Sequence, residues 1–194
     1  VNLALFDFDH TLTRRDSLLD FTRFAVGTGR LWAGLAALVP AAAGFGLGRI
    51  SNSEFKRRFL TRFFGGWPME RFRATAERYA RERLPAILNP RAVGRLRWHL
   101  AQGDAVYVVT ASASDWIADW ARGQGVSLIA SQLEVRDNRL TGCLLGANCH
   151  GPEKAARIRE VLNLADYQTI HAYGDSRGDR EMLALAHQPH FREF

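Results

Sequence analysis

The chain has 194 residues, 47% hydrophobic and 11% aromatic, enough to bury a sizeable core and to exclude a disordered tail. Two cysteines, Cys143 and Cys149, with no CxxC pair, exclude a zinc ribbon and a disulfide-stapled miniprotein. The net charge of +6 is unevenly spread: residues 14–97 carry 17 basic and 6 acidic side chains, and the remainder carries 9 and 14. A bond between the two cysteines is left open, although such low cysteine usage fits a reducing compartment better. Only Lys56 and Lys154 are lysines; the other 24 basic residues are arginines. A basic segment of this kind attracts anions, whether nucleic acid, lipid headgroups or phosphorylated substrates. The chain opens on a strand-like run without the charged leader of a signal peptide, so a cytoplasmic location is expected.

Leu3-Ala4-Leu5-Phe6-Asp7-Phe8-Asp9 reads as a short buried strand closing on two carboxylates. Residues 14–88 then carry helical patterns and no convincing strand, which predicts a helical cap over the carboxyl edge of a sheet. Within it, residues 31–48 hold no charge and are flanked by Arg30 and Arg49. Their length reaches the threshold for a membrane span, but Pro40 and four glycines interrupt it. An apolar helical hairpin is expected instead, either packed inside the protein or in peripheral contact with the inner face of the cell membrane. A helix is predicted over about 90–102, a strand from Ala105 to Thr110, a helix over about 114–123 and a strand from Val126 to Ala130. Residues 133–146 predict a hairpin turning at Asp137-Asn138. A helix over about 153–163, a strand from Thr169 to Tyr173 and a helix over about 178–186 complete the chain. This alternation predicts an α/β fold: a parallel sheet with helices on both faces, built from 1–13 and 89–194, with 14–88 as the inserted cap. The tryptophans at 32, 67, 98, 116 and 120 are expected in the core, with Trp116 and Trp120 on one helix face.

Sheets of this class bind ligands at the carboxyl ends of their strands, and three predicted strands end there in polar clusters. Asp7 and Asp9, two apart in a strand, would start on the same side and repel unless a cation or proton lies between them. Asp175 and Asp179, in Gly-Asp-Ser-Arg-Gly-Asp, add carboxylates at another strand end. Such an oxygen-rich cluster suits Mg²⁺ together with a substrate phosphate. Thr110 offers a hydroxyl, and the amides of Ala111 and Ser112 follow it in a turn suited to phosphate oxygens. Lys154, near a helix start, would offset negative charge as a point cation.

In order along the chain, Asp7-Phe8-Asp9-His10-Thr11, Val108-Val109-Thr110-Ala111-Ser112, Lys154 and Gly174-Asp175-Ser176-Arg177-Gly178-Asp179 resemble the four motifs of the haloacid dehalogenase superfamily of phosphotransferases. That resemblance implies a Rossmann-like core and a defined division of labour. Asp7 would be the nucleophile, forming an aspartyl-phosphate, and Asp9 the acid and base. Asp7, the Asp9 main-chain carbonyl and Asp175 would hold Mg²⁺. Thr110, Ala111 and Lys154 would bind the phosphoryl group, with Asp179 in support. Aspartate at the second position implies a phosphatase. The inserted helices resemble the phosphoserine phosphatase-like branch, which makes Asp16 and Arg58 candidate substrate residues; Asp16 is also read as the N-cap of a helix starting at Ser17. Leu128-Ile129-Ala130-Ser131-Gln132 and Cys149-His150-Gly151-Pro152-Glu153-Lys154 are similar to a bacterial subgroup that includes phosphatidylglycerophosphatase C. His10 stands where glycine is common in the superfamily and is a further candidate for substrate contact.

The expected partner is therefore a phosphorylated substrate, either a phospholipid headgroup phosphate or a small phosphomonoester such as phosphoserine. Two non-enzymatic readings compete with it: a basic nucleic-acid-binding protein and a membrane-associated scaffold. The uncharged apolar run inside the basic segment and the lack of a recognition motif argue against nucleic acid, and four intact motifs argue against a dead scaffold.

Overall fold

In β1 (Leu3–Phe6) every residue is buried, which requires cover on both faces of the sheet. Alternation along the strand sends Ala4 and Phe6 into one apolar core and Leu3 and Leu5 into a second. The computed structural model describes residues 1–194 and shows how that cover is built. Five parallel strands lie in the order β3-β2-β1-β6-β7: β2 is Ala105–Ala113, β3 Ser127–Ser131, β6 Ile170–Gly174 and β7 Gln188–Phe191. β1 is central, pairing in register with β2 through Leu3–Ala105 and with β6 through Leu3–Ile170. The larger core takes residues from α7 (Pro90–Ala101) and α8 (Ala118–Gln124), and the smaller from α9 (Pro152–Val161) and α10 (Arg180–Leu183). Helices therefore cover both faces.

Six helices stand between β1 and α7: α1 (Ser17–Val26), α2 (Thr28–Ala37), α3 (Val39–Gly46), α4 (Asn52–Phe64), α5 (Met69–Glu82) and α6 (Leu84–Ile87). The chain leaves and re-enters the sheet region through a narrow neck. Thr13 bridges Leu88 in antiparallel fashion, Arg14 N–H donates to Ile87 C=O at 2.7 Å and Asn89 N–H to Leu12 C=O at 2.8 Å. Aromatic rings fill the space between insertion and sheet. Phe21 stacks on Trp116 with centroids 4.8 Å apart and meets Phe64, Phe72 and Tyr79 edge-on or tilted. Behind them Arg83 grips Asp20 at 2.7 Å, tying α1 to the end of α5.

Several expectations need correction. The first strand ends at Phe6, because Asp7 to Thr13 form a wide turn with His10 at φ +62°, a left-handed conformation that explains why glycine suits this position. The helix expected over 114–123 is a short turn at Ser114–Trp116 followed by α8. The one expected over 178–186 shrinks to α10, preceded by a turn that Ser176 and Asp179 cap reciprocally. Strand β7 was not foreseen. Trp116 and Trp120 are buried as expected, though on separate elements, but Trp32 and Trp98 are exposed at 65% and 49%. Both cysteines are free thiols.

The hairpin at Asp137-Asn138 is present, with both turn residues at positive φ between β4 (Leu133–Arg136) and β5 (Arg139–Leu144). Its use is to brace the insertion. Gly66 N–H donates to Leu140 C=O at 2.8 Å, and Gly142 lies against the α4 backbone at Thr61. A Cβ on Gly142, already at φ +87°, would stand 2.8 Å from the Thr61 nitrogen. Gly142→Ala is therefore expected to lower stability by about 2 kcal/mol, combining left-handed strain with a backbone clash, as read from urea unfolding.

Candidate active site

The carboxyl ends of β1, β2 and β6 open into a cavity of about 490 Å³. Its floor is set by one buried cation. Lys154 sits in the first turn of α9, where Gly151 at φ +61° and Pro152 start the helix. Its Nζ donates to Asp7 Oδ1 at 2.5 Å and to Asp179 Oδ1 at 2.6 Å, and its side chain is 2% exposed. Asp179 is used on its other side as well: Oδ2 accepts from Ser176 N–H, Ser176 Oγ and Asp175 N–H. Gly174 is required here, since a Cβ would lie 2.6 Å from the Asp179 Cβ. Asp179 is thus a supporting group with both oxygens engaged.

Asp9 is held on the opposite side of the turn. Ser17 N–H donates to its Oδ1 at 2.6 Å and Ser112 Oγ to its Oδ2 at 2.5 Å. Ser17 Oγ and Ser112 Oγ lie 3.0 Å apart, and Trp116 Nε1 donates to Ser17 Oγ, so the orientation of Asp9 is fixed from behind. Strand β2 changes register between Thr110 and Ala113, an irregularity that re-aims this segment. Thr110 Oγ1 accepts from Ser112 N–H at 3.0 Å. That bond takes up the Ser112 amide that the sequence reading offered to phosphate, and leaves the Thr110 hydroxyl proton free to donate.

The charges are strongly coupled. Burial pushes the Asp7 carboxyl up to about 8; Lys154 opposes this, while Asp179 and Asp9 reinforce it. Burial works against the Lys154 ammonium, but Asp7 and Asp179 outweigh it and raise its pKa. Asp179 is held low in spite of burial, by Lys154 and then Ser176. Asp175 is raised by burial and then by Asp179. Oxygens of Asp7, Asp175 and Asp179 lie within 4.8 Å of one another. Asp179 Oδ2 already accepts three hydrogen bonds, so the lone pairs open to a ligand are chiefly those of Asp7, whose Oδ1 accepts only from Lys154, and those of Asp175. An anionic, all-oxygen donor set on the floor of this cavity fits a hard divalent cation such as Mg²⁺.

Asp7, Asp9, Asp16, Thr110, Ala111, Lys154, Asp175 and Asp179 all line this one cavity. Asp16 also caps α1, accepting from Leu19 N–H at 2.8 Å. Arg58 does not belong to it. It lies on the outer face of α4, paired with Glu54 at 2.7 Å and 46% exposed. The cation that α4 does send inward is Lys56, two residues earlier and so about 200° around the helix. Lys56 Nζ donates to Ala111 C=O and, at 3.0 Å, to Asn148 Oδ1. Burial lowers its pKa to about 8, against the pull of Asp9 and Asp16. Sequence reasoning missed this residue, although the signal was present: both lysines of an arginine-rich chain are buried in the same cavity. Leu18, Leu19, Leu35, Phe45, Phe55 and Phe59 form an apolar wall facing the charged floor.

Residues 4–184 match the model of the haloacid dehalogenase-like hydrolases. The protein CicA of Caulobacter vibrioides is 36% identical over 99% of this chain and 86% of its own length. A probable phosphatase of Mycobacterium tuberculosis is 29% identical over 95% of this chain and 66% of its own. Among solved structures, a Bordetella pertussis protein of unknown function superposes with a TM-score of 0.82 at 30% identity, covering 95% of this chain and 86% of that one. A phosphoserine phosphatase carrying a phospho-aspartyl intermediate analogue shares the fold at a TM-score of 0.67 and 20% identity, with 95% and 83% covered. With the motif carboxylates and Lys154 gathered in one cavity and the family model matching residues 4–184 of the 194, the chain belongs to the haloacid dehalogenase-like hydrolases.

Proposed function

We propose that this hydrolase is a phosphatase that cleaves phosphomonoesters through an aspartyl-phosphate on Asp7, with Mg²⁺ as its cation. The observation that supports this most directly is the Asp7–Lys154–Asp179 triad on the cavity floor, with Asp9 pinned beside it by Ser17 and Ser112. Lys154 holds Asp7 Oδ1, which aims Oδ2 at an incoming phosphorus. Attack by Oδ2 forms the Asp7 O–P bond as the bond to the leaving oxygen breaks. Asp9, as the carboxylic acid, gives that oxygen its proton. As the carboxylate, it then takes a proton from the water that attacks phosphorus and releases Asp7. Thr110 Oγ, the Ala111 segment and Lys154 meet the phosphoryl oxygens. Lys56 spends two of its three N–H groups on Ala111 and Asn148, which leaves one for the substrate anion. Asp7, Asp175 and the Asp9 main-chain oxygen would hold the divalent cation, which supplies positive charge that favours ionised Asp7 and neutralises the phosphoryl group.

The apolar wall supports a substrate whose leaving group carries hydrocarbon beyond the phosphate, as in a phospholipid-type phosphomonoester. Phosphoserine fits less well, because Arg58 is turned outward and Asp16 is committed to its helix cap.

Asp7→Asn is expected to abolish phosphate release from an aryl phosphate. Asp9→Asn is expected to slow it by roughly 10²–10⁴-fold, and loss of activity in EDTA should be reversed by Mg²⁺. Persistent turnover by Asp7→Asn would exclude the mechanism. The pH dependence has a definite sign. Lys56 carries its charge below its pKa of about 8 and loses it above, so kcat/KM should fall as pH rises through 8. In Lys56→Arg, which stays charged, that alkaline limb should move out of range.

A further inference from the structure

We infer that the α2–α3 tip is an interfacial docking surface for an anionic phospholipid bilayer, placing the cavity mouth at the headgroup layer. The surface follows from what the uncharged run 31–48 does once folded. It forms two short helices joined at Leu38, with Pro40 in the first turn of the second. Helix α3 is Val-Pro-Ala-Ala-Ala-Gly-Phe-Gly, apolar all round, and a helix of that kind belongs inside a core or a membrane. Yet only Ala41 of α3 is fully buried. Trp32, Val39, Phe45 and Leu47 are exposed at 65%, 60%, 41% and 69%. The exposed large apolar side chains outside the insertion are spread singly along the chain, whereas these four fall within sixteen residues.

The charge around the tip selects the occupant. Arg14, Arg15, Arg23, Arg30 and Arg49 are exposed and none is paired with a carboxylate; Arg14 and Arg23 donate only to neutral oxygens, Ala86 C=O and Thr28 Oγ1. An apolar patch rimmed by guanidinium groups that no carboxylate neutralises complements a layer of lipid phosphates lying over hydrocarbon. A second copy of the chain would set the same arginines against each other, which disfavours self-association through this face. No helix is long and apolar enough to cross a membrane, so the tip lies in the interface rather than spanning it.

The surface is continuous with the catalytic cavity. A groove of about 480 Å³ beside the tip is lined by Arg14, Arg15, Arg23 and Trp32, and shares His10, Asp16 and Leu19 with the cavity. Phe45 and Leu35 belong to the cavity wall itself. Docking would therefore present a headgroup phosphate to Asp7. That last step rests on the phosphatase reading, whereas the docking does not.

The test is co-sedimentation of the full chain with vesicles of phosphatidylcholine, with and without phosphatidylglycerol. Binding is expected only with the anionic lipid and is expected to weaken as salt rises. Val39→Ser/Leu47→Ser and Arg30→Gln/Arg49→Gln should each lower the partition coefficient by at least about tenfold, two Arg charges near the surface being enough for that. Both double variants should hydrolyse a soluble aryl phosphate like wild type. Lack of binding to anionic vesicles, or binding that ignores both variants, would overturn the docking surface while leaving the phosphatase intact. A concentration-dependent dimer abolished by Val39→Ser/Leu47→Ser would assign the face to a second copy instead. Vesicle binding with no phosphatase activity towards any substrate would keep the surface and remove the catalytic reading.

Discussion

The structure depends on one buried ammonium. Asp7, Asp9, Asp175 and Asp179 all reach the same strand edge, and without a cation between them their repulsion would open it. Lys154 crosses from α9 to join the end of β1 to the turn after β6. Each element it touches is itself rigid: β1 is the central strand, α9 starts at Gly151-Pro152, and Asp179 is locked by Ser176. Removing one partner of such a buried set leaves an uncompensated charge and costs about 3–5 kcal/mol. The ion pair therefore acts on stability and on chemistry at once.

Above that floor the environment changes to hydrocarbon. The insertion brings Leu18, Leu35, Phe45, Phe55 and Phe59 over the carboxylates and only one cation, Lys56. An apolar lid excludes water, and charge interactions beneath it grow stronger as the local dielectric falls. The fold of the sheet alone is compatible with many substrates, and the side chains that differ above this floor are those of the insertion.

The sheet and its motifs were legible because their signals are local. Apolar β-branched runs closing on Asp, Thr or Gly-Asp state both the strand and its functional end, and the hairpin at Asp137-Asn138 is written in its turn residues. What stayed hidden was orientation. Lys56 and Arg58 lie in one cationic run, Lys56-Arg57-Arg58, and only the rotation of α4, fixed by its packing on β5 at Gly142, decides which of them enters the cavity. Strand β7, Gln-Pro-His-Phe, carries no alternating apolar pattern and forms because the β6 edge offers partners to it. The first strand ran too long on paper because Phe8 looks like strand, whereas the turn that aims Asp7 and Asp9 bends the chain immediately before it. The exposure of Trp32 was equally hidden, since tryptophan is usually buried and nothing local says that its helix stands at the rim.

The division of labour between the two kinds of cation has a physical basis. An ammonium is compact, with three donors directed tetrahedrally, so Lys154 can hold two carboxylates and keep a third N–H in reserve. Buried lysines also shift their pKa in either direction: burial lowers both, but at Lys154 the two carboxylates outweigh it and drive the pKa up, whereas at Lys56 burial prevails and drives it down to about 8. Arginine, weakly hydrated and always charged, keeps the exposed rim of the tip cationic at every pH. Fixed charge outside and tunable charge inside are thus properties of the residue types themselves, and the placement of just two lysines among 26 basic residues marks where the tunable charge is needed.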